Sequence, residues 1–71
     1  MTIIIDFGQF TLGCPYVIYN EDGPKYISGE IDRNIDSIRD LIVRNNVKSA
    51  VIKGECNPEI EEEIKKLCKI L

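Results

Sequence analysis

The chain has 71 residues and a net charge of −3, with 44% hydrophobic and 30% charged residues. That length allows one domain, which buries only roughly 60% of the surface its unfolded chain exposes, and the composition is that of a folded protein rather than a disordered one. Histidine is absent, which excludes Ser–His and Cys–His nucleophilic pairs, imidazole bases and histidine-ligated metals. Any chemistry falls to carboxylates, thiols, lysines and backbone amides.

Thr2-Ile3-Ile4-Ile5 is a short β-branched run closed by Asp6-Phe7-Gly8, the pattern of a central strand buried on both faces. Gly13 and Pro15 then punctuate the chain, and Tyr16–Tyr19 reads as a second strand. Asn20-Glu21-Asp22-Gly23-Pro24 is a dense turn signal, so Lys25–Ser28, closing at Gly29, should return antiparallel as a third strand. Asp32 or Asn34 caps a first helix that runs to about Asn45, with Ile35, Ile38, Leu41 and Ile42 on its apolar face and Arg33 among the residues of its polar face. Asn45-Asn46 can take the left-handed conformation that stops it. Lys48–Lys53 reads as a fourth strand ended by Gly54. Asn57-Pro58 opens a second helix whose buried stripe is Ile60, Ile64, Leu67, Cys68 and Leu71. Acids early and lysines late in that helix complement its dipole, and Glu61–Lys65 and Glu62–Lys66 have i,i+4 spacing.

The expected fold class is therefore α/β: a single domain over residues 1–71, β-β-β-α-β-α, with a small mixed sheet of strand order 3-2-1-4 and two helices. In that arrangement one rim of the sheet gathers Asp6, Gly8, Gly13, Cys14, Gly29, Glu55 and Cys56, beside the amino end of the second helix. Ligands of open α/β sheets bind at such carboxyl-end rims.

Each pair of residues there has a chemistry. Asp6 and Glu55, at the ends of adjacent parallel strands, could share a divalent cation such as Mg²⁺, or Asp6 could simply cap a turn. Cys14 and Cys56 could contribute to a metal or metal–sulfur site, the helix dipole favouring the Cys56 thiolate, or both could be packed thiols. Two cysteines fall short of a full ligand set unless a second chain contributes. Gly8 and Gly13 would let a phosphate approach the backbone, although their spacing is neither a Walker loop nor a dinucleotide fingerprint. Tyr16, Tyr19 and Tyr26 are expected as cross-strand neighbours in the hairpin.

Asp6-Phe7-Gly8-Gln9-Phe10-Thr11-Leu12-Gly13 has the D-x-G-x-x-x-x-G shape that opens ribonuclease H-like domains. The element order resembles the first half of that fold, shared by RuvC-like resolvases and actin-like ATPases. By that resemblance Asp6 matches the first catalytic aspartate, and Glu55 roughly matches the glutamate after the fourth strand; the segment carrying the remaining carboxylates is missing. The chain also resembles a shortened NifX-type iron–molybdenum cofactor-biosynthesis domain in Phe7-Gly8, Pro15–Tyr19 and Gly54-Glu55-Cys56-Asn57-Pro58, with Asp6 where that family has a histidine. This second resemblance implies binding of a metal–sulfur cluster.

The function expected first is a non-catalytic binding or regulatory module that acts through protein contacts, with a protein partner or a second copy meeting an unprotected fourth strand. A cluster carrier using Cys14 and Cys56 comes second, and a Mg²⁺-dependent hydrolase using Asp6 and Glu55 third. Scattered basic residues make nucleic acid an unexpected partner, and no apolar run is long enough to span a bilayer. Three cysteines without a framework spacing and no signal-peptide pattern give a cytoplasmic expectation.

Overall fold

A computed structural model describes residues 1–8, 13–20, 22–23 and 26–71. Residues 9–12 of the Asp6–Gly13 segment, and Glu21, Pro24 and Lys25 of the expected turn, lie outside them. The described elements are β1 (Thr2–Asp6), β2 (Gly13–Tyr19), β3 (Tyr26–Asp32), α1 (Ile35–Arg44), β4 (Ser49–Lys53), α2 (Pro58–Leu67) and β5 (Lys69–Ile70). They form one mixed sheet of order β3-β2-β1-β4-β5 with two helices. β1 pairs antiparallel with β2 and parallel with β4, as the crossover through α1 requires.

The expected order 3-2-1-4 is extended by a fifth strand. The sequence carries the second helix through to Leu71, but α2 ends at Leu67 and Cys68 is extended at φ −157°. Lys69 N–H then donates to the Lys48 carbonyl at 3.0 Å, and Leu71 N–H to that of Ala50 at 2.8 Å. The terminal residues thereby satisfy part of the edge of β4, which sequence reading left unprotected.

Asparagines set both helix starts. The Asn34 side chain accepts from Asp36 N–H at 2.8 Å, and the Asn57 side chain from Glu59 N–H at 2.8 Å. Pro58 occupies the first turn of α2, where its missing N–H costs no hydrogen bond. Asn46, at φ 53°, follows the end of α1. Arg33 precedes the helix rather than lying on it. Lys65 and Lys66 pair with Glu62 and Glu63 at i,i+3, in place of the expected i,i+4 pairs.

Both hairpin strands exceed their expected lengths. β2 includes Pro15 and β3 continues through Gly29 to Asp32. Pro15 fits because β1 stops pairing at Tyr16, so the proline pairs with β3 alone. Tyr19 lies opposite Tyr26, but Tyr16 lies opposite Gly29, and its ring fills the space over that glycine: a Cβ there would sit 3.3 Å from the phenol oxygen.

Register decides what each face buries. Ile3, Ile5, Cys14, Ile18 and Ala50 share one face and are fully buried with Ile38 of α1 and Ile64 of α2. Each of these isoleucine side chains contributes roughly 1.5–3 kcal/mol by leaving water. The alternate residues of β2, β1 and β4 form the other face, where Val17, Ile4 and Val51 align side by side. β1 is therefore buried on one face and only partly covered on the other, not on both as its apolar run suggested.

Candidate functional site

The candidate functional groups lie in two places: the rim at the carboxyl ends of β1 and β4, and the face of the sheet opposite the helices.

At the rim, Phe7 N–H donates to the Lys53 carbonyl at 2.8 Å, holding the chain against β4 one residue past the strand. Asp6 then closes a turn, its Oδ1 accepting from Gly8 N–H at 2.8 Å. Gly54 crosses just beside this turn at φ +79°, and a Cβ on it would lie 2.5 Å from the Gly8 nitrogen. Only glycine tolerates both the conformation and the approach. Arg33 reaches in from the end of β3, donating from Nη2 to the Phe7 carbonyl at 3.1 Å.

Cys14 is fully buried, Cys56 is half-buried, and both are free thiols. Burial pushes the Cys14 thiol above its ordinary value, against the opposing pull of Arg33. Burial, reinforced by the Glu61 carboxylate, pushes Cys56 up as well. The thiolate expected of Cys56 from the helix dipole is thus disfavoured: the Glu61 N–H does favour the anion, but desolvation and the Glu61 charge outweigh it. The two thiols are near enough to influence each other electrostatically.

The structure thus brings Asp6, Gly8, Cys14 and Cys56 to one end of the sheet, together with Gly54 and Arg33. Glu55 is exposed beside them, and Gly13 opens β2 opposite Asp32. Register assigns Asp6 to the helix-free face and Cys14 to the buried one, so carboxylate and thiol do not share a surface. Among the described residues no three His, Cys, Asp or Glu side chains come together to hold a metal ion. Sequence reasoning missed the part played by Arg33; its only signal was a lone cation at the junction between β3 and the helix cap.

On the helix-free face, Ile4 and Val51 are half-buried and Val17 is 36% exposed. A shallow depression of about 180 Å³ opens beside them, lined by Ile4, Asp6, Pro15, Tyr16, Val17 and Lys53. Asp6 and Lys53 are register neighbours at its charged end. At the other end Thr2 and Ser49 share a hydroxyl hydrogen bond of 2.7 Å. The result is an apolar row across three strands with polar groups at either end. On the helix side, a groove of about 690 Å³ separates the amino ends of α1 and α2 over Ile35, Pro58 and Ile60; the Arg39–Glu63 ion pair lies on its wall.

No known protein family, curated protein or solved structure matches this chain. Among the described residues no helix is long and apolar enough to cross a membrane.

Proposed function

We propose that this chain is a small non-catalytic binding or regulatory module that acts through protein–protein contacts in a reducing compartment. The observation that carries this reading is the Val17–Ile4–Val51 row, an apolar strip on a sheet face that neither helix covers. The element order and the 3-2-1-4 portion of the sheet support a likeness to the first half of a ribonuclease H-like domain. Asp6, which would be the first catalytic carboxylate of such a domain, is engaged by the Gly8 amide. The cluster-carrier reading draws on Cys14 and Cys56 and is the weaker one, because Cys14 is fully buried and, among the described residues, no third Cys, Asp or Glu joins the two thiols.

The test is site-specific photo-crosslinking in the source cells, with the reactive group at position 17 or at position 43. Val43 is 64% exposed on α1 and serves as the control. Position 17 should give a discrete crosslinked protein that position 43 does not. Equal crosslinking from both positions, or none from position 17, would overturn the reading. So would a Mg²⁺-dependent hydrolytic activity abolished by Asp6→Asn.

A further inference from the structure

The two edges of the sheet are built differently. At one, β5 is two residues long and carries Lys69, the short and charged form by which natural sheets discourage further pairing. At the other, β3 runs for seven residues, Tyr-Ile-Ser-Gly-Glu-Ile-Asp, without lysine or proline. Five consecutive residues of β3 are exposed, including Tyr26 at 69% and Ile27 at 47%. No other described strand pairs with its outer side, so every second residue there presents its N–H and C=O outward.

We infer that β3 pairs antiparallel with β3 of a second copy about a two-fold axis at Gly29, joining two five-stranded sheets into one of ten. This goes beyond the binding reading above, which rests on a different surface. Two features of β3 select a second copy in this register. The first is charge. The axis sets Glu30 opposite the partner's Ser28, and Asp32 opposite the partner's Tyr26, so no acid faces an acid and each tyrosine hydroxyl can donate to a carboxylate. The second is shape. Directly opposed residues point to the same face, so the partner's Ile27 stands beside Ile31 on the helix side. A groove of about 230 Å³ opens there, lined by Tyr16, Ile31, Ser37, Leu41 and Arg44 among others. The exposed Ile27 of each copy thus enters the groove of the other, an isologous exchange that closes at two chains.

The test is sedimentation velocity of the full chain and two variants, from about 10 μM to about 1 mM, a span that detects association of moderate strength. Within one copy, Ser28 and Glu30 face Val17 and Pro15 across the hairpin, so charges placed on them meet no charge on β2. Ser28→Glu sets two like-charged pairs across the axis and should weaken the dimer about tenfold. Ser28→Glu/Glu30→Lys turns both into opposite-charge pairs and should restore it. A wild-type chain that stays monomeric throughout would overturn the inference. A dimer indifferent to Ser28→Glu, or one weakened by it and not restored by the second substitution, would overturn the register. A monomeric result with crosslinking intact at position 17 would remove this inference alone, and the reverse pattern would remove only the binding reading.

Discussion

β1 shows two faces of one strand put to different uses. Ile3 and Ile5 are fully buried against the helices, whereas Ile4, between them in sequence, is only half-buried on the face that has none. Residue type is identical at the three positions, so the difference lies in what the sheet packs against. An apolar run of β-branched residues reports that a strand is central; it does not report whether both faces of the sheet are covered. The two helices pack on one face, and the other keeps the partly exposed row of Val17, Ile4 and Val51.

The contrast can be broken by truncation. Ile5→Ala should cost about 2–5 kcal/mol, the range for emptying a well-packed aliphatic site, while Ile4→Ala should cost about 1 kcal/mol or less. Urea unfolding of the two variants checks this; equal losses would mean that the faces do not differ. The rim gives the next largest effect. Gly54→Ala forces an L-residue to φ +79° against the Gly8 nitrogen and should cost about 1–3 kcal/mol, read as a lower thermal midpoint.

The thiols sharpen the same comparison chemically. Cys14, fully buried on the covered face, should be alkylated more slowly in the folded chain than in urea at mildly alkaline pH, because burial both shields the thiol and disfavours the reactive thiolate. Burial raises all three cysteines. Their contribution to stability is therefore complete below the ordinary thiol pKa of about 8.5 and is lost as pH rises through the higher folded values. A urea series in alkaline buffer should show that decline.

The smallest effect belongs to the pair that joins the helices. Arg39 bonds Glu63 at 3.1 Å, and this, with Lys66, holds the Glu63 carboxyl below its usual range. The stabilisation is present above the ordinary carboxylate pKa and disappears as pH falls through the lowered one. Arg39→Met should erase this part of the acid dependence while changing neutral stability little, as for other exposed pairs.

Much of the fold is legible in the sequence where single residues carry strong local signals. Asp32 or Asn34 and the pair Asn57-Pro58 mark the helix starts, Asn45-Asn46 the left-handed stop, and the Asn20–Pro24 turn signal the antiparallel return. What escapes reading depends on tertiary pairing. Cys68 and Leu71 continue the helical stripe of α2, and only the unpaired carbonyls of Lys48 and Ala50 draw the chain into β5. Glu30-Ile31-Asp32 is ambiguous between strand end and helix cap until β2 supplies partners as far back as Gly13. At the rim, the gathering of Asp6, Gly8, Cys14 and Cys56 follows from element order. The assignment of Asp6 and Cys14 to opposite faces follows from register, which the apolar pattern of β1 leaves open.

The central claim, that the helix-free face is a contact surface, is tested most directly by cysteine accessibility. Val17→Cys and Val43→Cys would be alkylated in the source cells and again in dilute purified protein. Expected is a slowing at position 17 in cells of about tenfold, the protection given by a partner at ten times its dissociation constant, with position 43 unchanged. Equal rates at position 17 in both settings would contradict the claim.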